Sequence, residues 1–337
     1  MTYEEVLSKA REVLEPKCKV CPECNGVACK GQIPGVGGIG NGKSFMNCRE
    51  FFKSVDVNMD ALHEVYDPDT SVEMFGRKFD VPFFAAPIGG MPFNYTGYMT
   101  EAEYASAIVN GCLQAGGLGF TGDGPSEDYF PSTLPVIKEA GGVAVSTIKP
   151  WENEKIIRQI KMLEETGAIA FAVDVDSAAL INLKLRGKPV YTKSTEELKE
   201  IVESTKLPFI VKGVMTAKSA LRCVEAGAYG IVVSSHGGRI LEDTPCPASM
   251  LREIKAAVGD RIKIFVDGGI RSGADVFKCL ALGADAVLIG RPYSVAAHGG
   301  AAEGVKIYTE KIKAELTDLM MMTDCRSIKD ITEEKIR

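Results

Sequence analysis

Residues 263–292, KIFVDGGIRSGADVFKCLALGADAVLIGRP, decide the fold of this chain. Two short apolar runs, KIFV and AVLI, each end in glycine with an arginine close behind, and the segment between them carries apolar residues at helical spacing. A strand that is covered on both faces is apolar along its whole length. The stretch therefore predicts a parallel unit of strand, helix and strand.

The same rhythm recurs along most of the chain. Short apolar runs alternate with helical patterns that often end in glycine. The runs are PFFAAPIG (82–89), GGLGFTG (116–122), GVAVSTI (142–148), AIAFAVDV (168–175), PFIVKGV (208–214), GIVVSSH (230–236), KIFVDGG (263–269) and AVLIGRP (286–292). Eight strand-then-helix units predict an α/β protein with a (β/α)8 barrel. An open doubly wound sheet is the alternative, but the residues after 89 lack the glycine-rich turn that would favour it.

Three regions follow from this pattern. We expect an N-terminal extension at 1–81, the barrel at 82–315 and a tail at 316–337. The extension is predicted to contain one amphipathic helix, a cysteine-rich loop and a second helix around 44–63.

Composition limits the class of protein. The 337 residues are 45% hydrophobic and 25% charged, as in soluble globular proteins. A net charge of -6 argues against nucleic acid or an anionic membrane as the main partner. The N-terminus is acidic and amphipathic, unlike a signal peptide, and no apolar stretch approaches membrane-spanning length. We therefore expect a cytoplasmic protein whose ten cysteines are thiols or ligands.

Polar residues follow the predicted strands, where a barrel enzyme places its active site. Two glycine-rich ends stand out, VDGGIRSG and LIGRP, because loops after the seventh and eighth strands commonly bind phosphate. Arg271 and Arg291 would add charge-assisted contacts to that phosphate. The alternative is that these are tight turns with solvated arginines.

Lys212 ends an otherwise apolar strand, so an anionic group should lie next to it. It is compatible with a Schiff-base lysine, with a cation that holds the charge of a reduced flavin, or with a partner of Asp174 or Asp267.

His236 and Arg239 follow the sixth strand on one loop. A neutral histidine can accept a proton, and an arginine offers a planar fork for a carboxylate. Asp174, from another strand, is predicted to orient the imidazole. Gly237 and Gly238 would let the backbone approach a ligand. The loop therefore predicts a catalytic base beside a carboxylate anchor.

With these motifs in order, the chain resembles the FMN-dependent 2-hydroxy acid oxidases and dehydrogenases, the glycolate and lactate oxidase family. The resemblance rests on VKGV, SSHGGR, VDGGIRSGADVFKCLALGA and LIGRP, and covers about residues 35–310. It implies oxidation of a small L-2-hydroxy acid, lactate- or glycolate-like, to the 2-oxo acid in a homotetramer. Oxygen, a quinone or another carrier all remain compatible as the electron acceptor.

The resemblance also implies roles for individual residues. His236 would be the base, Arg239 the carboxylate anchor, Asp174 the group that tunes His236, and Lys212 the cation near the reduced flavin. The FMN-binding residues would be Pro87, Ile88, Gly89, Thr121, Gly122, Ser146, Lys212, Ser234, Asp267, Gly268, Gly269, Arg271, Gly290 and Arg291.

Departures from the family pattern keep other functions open. The segments IPGVGGIGNGKSF and AVSTIKPW lack the tyrosines that the family places there to contact substrate. Lys149 is compatible with a replacement contact, although a solvated loop lysine is the more common explanation. The alternatives are a flavin-dependent isomerase or reductase and a non-catalytic redox sensor.

A cysteine-rich segment is not explained by this resemblance. CKVCPECNGVACKG sets Cys18, Cys21, Cys24 and Cys29 at C-x2-C-x2-C-x4-C spacing. Four clustered thiols are compatible with zinc, with an iron–sulfur cluster or with free thiols.

Overall fold

The computed structural model describes residues 1–337 and forms a closed eight-stranded parallel barrel. A two-stranded antiparallel hairpin, β1 and β2, precedes the barrel, whose strands are β3–β10 in the closed order β10-β3-β4-β5-β6-β7-β8-β9. The strands are β1 (Val72–Met74), β2 (Arg77–Phe79), β3 (Phe83–Ile88), β4 (Gly119–Thr121), β5 (Val145–Ile148), β6 (Ala170–Asp174), β7 (Phe209–Val214), β8 (Gly230–Val233), β9 (Lys263–Val266) and β10 (Ala286–Ile289). The predicted (β/α)8 barrel is confirmed.

Helices connect the strands and cover the outside of the barrel. They are α1 (Tyr3–Leu14), α2 (Lys43–Lys53), α3 (Met91–Asn94), α4 (Glu101–Gln114), α5 (Tyr129–Glu139), α6 (Asn153–Glu164), α7 (Ile181–Lys184), α8 (Thr195–Glu203), α9 (Ala217–Glu225), α10 (Leu251–Val258), α11 (Gly273–Ala281) and α12 (Arg291–Met321). The predicted boundary at residue 315 lies inside α12. No helix is both long enough and apolar enough to cross a bilayer.

Alternation along each strand separates two cores. Phe83 packs outward among the helices, whereas Phe84 points into the barrel with Phe120, Phe265 and Leu288. The interior is thus a packed layer of side chains rather than a pore, as in other barrels of this size.

The hairpin closes the amino end of the barrel. Phe75, at its turn, stacks on Tyr229 with ring centroids 5.0 Å apart and on Phe265 at 6.2 Å. Its backbone N–H donates to the Tyr229 hydroxyl at 3.1 Å. The sequence analysis missed this hairpin because its strands are only three residues long.

The second helix of the extension is shorter than predicted. It ends at Lys53 rather than near residue 63, because the following residues pair with the C-terminal tail. Val57 bridges Ile336, and the N–H of Asp56 donates to the carbonyl of Arg337 at 2.9 Å. β-Branched valines favour this extended pairing over a continued helix.

Candidate active site

The carboxyl ends of the barrel strands surround one cavity. The predicted residues that line it are Pro87, Ile88, Gly89, Gly122, Asp174, Lys212, His236, Arg239, Asp267, Gly268, Gly269, Arg271, Gly290 and Arg291. Thr121, Ser146 and Ser234 are buried and do not line it. Thr121 and Ser146 are joined by a 3.4 Å hydroxyl contact, and the Ser234 hydroxyl accepts from the His236 N–H at 3.0 Å.

His236 is held by two aspartates, and the nearer one is not the predicted one. Its Nδ1 lies 3.0 Å from Asp176 Oδ1 and 3.4 Å from Asp174 Oδ1. Gly213 makes room for Asp176, because a Cβ there would lie 2.6 Å from the aspartate side chain. Asp174, which was predicted to orient His236, lies within reach of the imidazole, and Asp176 forms the shorter contact.

Asp174 is instead occupied by two lysines. Lys149 Nζ donates to its Oδ2 at 2.7 Å and Lys212 Nζ to its Oδ1 at 3.0 Å. Burial alone would raise the pKa of Asp174, but His236 and these two ammonium groups hold that pKa well below its usual range. Lys149 is 7% exposed, so its interpretation as a solvated loop lysine is wrong. A pair of buried cations shares one ionised carboxylate.

Lys212 faces more negative charge than the single pair suggests. Besides Asp174, Asp267 Oδ2 lies 3.7 Å from its Nζ. Burial alone would lower the pKa of Lys212, but the carboxylates of Asp174, Asp176 and Asp267 raise it. Lys212 is therefore a fixed ammonium rather than the deprotonated amine that Schiff-base chemistry requires.

Arg239 and Arg291 are partly buried in the cavity and lack a carboxylate partner. Arg239 donates to the carbonyl of Gly35 and, at 2.8 Å, to Asn94 Oδ1. Neither arginine has a carboxylate oxygen within 4.0 Å. Burial and the nearby Arg291 lower the pKa of Arg239 to about 10. Burial also lowers the pKa of Arg291. Uncompensated, partly buried cations favour an anionic ligand.

The residues predicted to bind phosphate lie around one corner of the cavity. Gly268 and Gly269 have φ of 101° and 79°, a left-handed conformation that suits glycine. Helices α11 and α12 begin beside this turn and at Arg291, so their N-termini add partial positive charge. Arg271 has no carboxylate partner, and Oδ1 of Asp267 is buried without a hydrogen-bond partner. The polar groups here fit the phosphate and ribityl chain of FMN.

The two glycines of the histidine loop make room for neighbouring groups, and Gly237 also lines the cavity. A Cβ on Gly237 would lie 2.7 Å from Arg291 Nη1, and one on Gly238 would lie 2.6 Å from the backbone nitrogen of Phe45. The N–H of Ile39 donates to the Gly238 carbonyl at 2.8 Å. Gly238 admits the N-terminal segment, which reaches the cavity through Gly35 and Val36.

Sequence reasoning missed further residues of the cavity. Tyr95, buried at the end of α3, lines it although no strand ends there. Asp123 accepts from the indole Nε1–H of Trp151 at 2.9 Å and from the Lys149 N–H at 3.1 Å. The aromatic side chain after α3 carried no motif that would have pointed to the cavity.

One group of side chains has metal-like geometry. Asp174, Asp176 and His236 place ligand atoms within 4.8 Å of one another. The ammonium groups of Lys149 and Lys212 already satisfy the Asp174 carboxylate, so a further cation is disfavoured here. The arrangement suits proton transfer instead. The four cysteines predicted as metal ligands line a separate cavity.

Comparison with known proteins agrees with this geometry. A family model described as FMN-dependent dehydrogenase matches residues 36–192 and 184–337. A peroxisomal (S)-2-hydroxyacid oxidase of Arabidopsis thaliana is 41% identical over 181 residues, which span 53% of this chain and 46% of that protein. Glycolate oxidase 1 of Oryza sativa subsp. indica is 30% identical over 329 residues, 86% of each chain. A crystal structure of mandelate oxidase with 3,3-difluoro-2-hydroxy-3-phenylpropionic acid has a TM-score of 0.81 and 27% identity, covering 100% of this chain and 98% of that one. These matches confirm the resemblance seen in the motifs.

Proposed function

The chain belongs to the FMN-dependent dehydrogenase family, and from that premise we propose that it oxidises a small L-2-hydroxy acid, lactate- or glycolate-like, to the 2-oxo acid. The observation that carries the proposal is that His236 and Arg239 line the same cavity as the phosphate corner. The similar proteins of Arabidopsis thaliana and Oryza sativa are oxidases of hydroxy acids, which supports the proposal.

Arg239 is the proposed anchor of the substrate carboxylate. It is partly buried, its present partners are neutral oxygens, and desolvation has already lowered its pKa to about 10. A carboxylate would supply the charge that Asn94 and the Gly35 carbonyl do not. Binding the acid group here places the neighbouring hydroxyl-bearing carbon within the same cavity as His236.

His236 is the proposed base. An ionised carboxylate can only accept, so Nδ1 donates to Asp176 and Nε2 is left as the basic nitrogen. The substrate loses two electrons and two protons, and His236 takes one of those protons, from the hydroxyl or from the α-carbon. The resulting imidazolium is stabilised by Asp174 and Asp176.

Bound FMN supplies a two-electron acceptor for this oxidation. Lys212 would hold the negative charge that reduction places on the ring, and Arg271 and Arg291 with the glycine turns would hold the phosphate. Because three carboxylates keep Lys212 protonated, its charge is available over the whole physiological pH range.

The replaced tyrosines restrict what the cavity can recognise. Ile148 is fully buried in β5, and the N-terminal segment offers Gly35 and Val36. Tyr95 and Lys149 are among the polar side chains that line the cavity. We propose that they take over part of the substrate contact, and that the reaction class is retained because His236 and Arg239 are present.

We further propose that the protein is cytoplasmic and forms a homotetramer. All ten cysteines are unpaired, which suits the reducing cytoplasm. A homotetramer is proposed from family resemblance alone, and light scattering of the FMN-loaded protein would test it.

Steady-state turnover with an artificial redox dye tests the function without assuming a natural electron acceptor. L-lactate and glycolate should each yield one 2-oxo acid, trapped as its hydrazone, for each pair of electrons transferred to the dye. D-lactate should give little product. Lack of any 2-oxo acid from a panel of L-2-hydroxy acids, with FMN bound, would reject the proposal and favour an isomerase or reductase.

A further inference from the structure

A second cavity of about 440 Å³ lies next to the active site. The two cavities share Val36, Tyr95, Arg271 and Arg291, so these four residues form the wall between them. The other side of the second cavity is formed by the cysteine-rich segment and by helix α1. The proposed oxidation makes no use of this space.

All four clustered cysteines line this cavity. Cys18, Cys21, Cys24 and Cys29 are unpaired and partly exposed to it, whereas the chain's other six cysteines are buried. Residues 15–42 contain no helix or strand. A segment of this length without regular structure is held in place by side-chain contacts or by a bound group.

The wall around the thiols is strongly cationic. Five side chains in it have no carboxylate partner within 4.0 Å, namely Arg11, Lys17, Lys19, Arg271 and Arg291. The one acidic residue of the wall, Glu23, is taken by Arg49 and Lys53 at 3.8 and 3.2 Å. The cavity therefore favours a centre of net negative charge.

We propose that Cys18, Cys21, Cys24 and Cys29 bind a metal centre through four thiolates in this cavity. Soft thiolates select zinc or an iron–sulfur cluster over magnesium or calcium. Four thiolates around one divalent ion carry a net charge of −2, which complements the cationic wall. On binding, each S–H bond breaks, a sulfur–metal bond forms and the proton leaves to solvent.

The free chain holds the ligands apart. No three of these sulfur atoms lie within 4.8 Å of one another, since the only group that meets that distance is Asp174, Asp176 and His236. Binding must therefore draw the segment inward, and this movement disrupts no helix or strand.

Metal binding by the four cysteines would also affect the proposed cofactor site, because Arg271 contacts both regions. Its Nε donates to the Cys24 carbonyl at 3.0 Å, and its Nη2 lies 3.5 Å from Cys24 Sγ. A metal that fixes Cys24 would fix this arginine at the phosphate corner. Metal loading should therefore slow the release of FMN.

Anaerobic titration of reduced, chelator-treated full-length protein with Co²⁺ tests the proposal. We expect one Co²⁺ per chain, with the d–d bands of a tetrahedral thiolate complex in the red, where flavin does not absorb, and displacement by Zn²⁺. Cys21→Ser should lose these bands, and the matched control Cys223→Ser, a buried cysteine of α9, should keep them. Bands that persist unchanged in Cys21→Ser would overturn the proposal.

Thiol labelling of the wild-type protein avoids any risk of misfolded variants. Metal should protect all four cysteines from alkylation, as mapped by mass spectrometry, and equal labelling with and without Co²⁺ would overturn the proposal. Iron with acid-labile sulfide in protein purified without oxygen would identify an iron–sulfur cluster, and zinc would identify a structural site. None of these readouts depends on turnover, so the proposed oxidation can fail without affecting them.

Discussion

At its amino end the barrel is filled by aromatic rings, whereas at its carboxyl end the same strands finish in charged side chains. Phe75 and Tyr229 stack at 5.0 Å below the barrel, while Lys149 and Asp174 pair at 2.7 Å above it. Burying apolar rings stabilises the fold, and burying charge opposes it unless each charge is paired. The comparison separates two tasks: the amino end provides stability and the carboxyl end provides chemistry.

The largest effect is expected from His236→Asn. Asparagine tolerates the φ of 55° at this position but cannot act as a base, so kcat should fall by up to about 10⁴-fold. Stopped-flow kinetics would measure the loss, and the melting temperature should change little. A variant with near-normal kcat would show that another group takes the proton.

Phe265→Ala should produce the opposite pattern. Its ring is fully buried inside the barrel and contacts Phe75 and Phe120, so truncation should lower the free energy of unfolding by about 3–5 kcal/mol. Activity per folded molecule should be retained. Urea unfolding monitored by circular dichroism measures the first quantity. A large loss of kcat at full folding would break the separation between the two ends.

Glu101 shows the cost of charge at the carboxyl end. Burial raises its pKa to about 7, so the folded state holds this proton more tightly than the unfolded state does. Stability is then greatest below the unfolded pKa and falls as pH rises through the folded pKa, by on the order of 3 kcal/mol between pH 4.5 and pH 7. Unfolding across that range should show the decline in the wild type, and Glu101→Gln should flatten it. The same slope in both proteins would assign it to another group.

Arg239→Leu should act mainly on substrate binding. Loss of a charged anchor should lower kcat/KM about 100-fold, chiefly through KM, because the substrate carboxylate loses a charge-assisted contact. Arg239→Lys should recover part of the loss. If the Leu and Lys variants lost the same amount of kcat and kept a normal KM, Arg239 would have a role other than carboxylate binding.

The smallest effect is expected from Asp176→Asn. His236 would keep its position but lose the charge that stabilises its protonated form, so kcat should fall about 10-fold or more and the rising limb of the pH–rate profile should move to lower pH. Asp174→Asn should instead reduce stability, since it leaves Lys149 and Lys212 with less compensation. An unchanged profile in Asp176→Asn would return the orienting role to Asp174.

The same comparison explains what the sequence could predict. Eight apolar runs predicted the barrel because strands buried on both faces leave a continuous pattern, and the strand ends then located the cavity. Asp174 and Asp176 are two residues apart, and the choice between them depends on the gap at Gly213 and on Lys149, which come from other strands. Such contacts leave no periodic pattern in the chain.

The sequence did not predict the position of Tyr95 in the cavity or the presence of the hairpin, for related reasons. Tyr95 reaches the cavity from a four-residue helix, and Phe75 closes the barrel from a turn between three-residue strands. The need for Gly238 depends on Phe45, about 200 positions earlier in the chain, and the need for Gly237 depends on Arg291. Local patterns predict elements, but not which distant segments pack against their ends.

The central claim is that the charged end of the barrel oxidises an L-2-hydroxy acid by means of His236. Anaerobic mixing of the FMN-loaded protein with L-lactate or glycolate tests it most directly, with absorbance as the readout. If His236 is the base, the oxidised flavin bands should bleach and one 2-oxo acid should form per flavin. The His236→Asn variant with bound FMN should not bleach. A flavin that stays oxidised with every L-2-hydroxy acid tested, or that bleaches equally fast in His236→Asn, would contradict it.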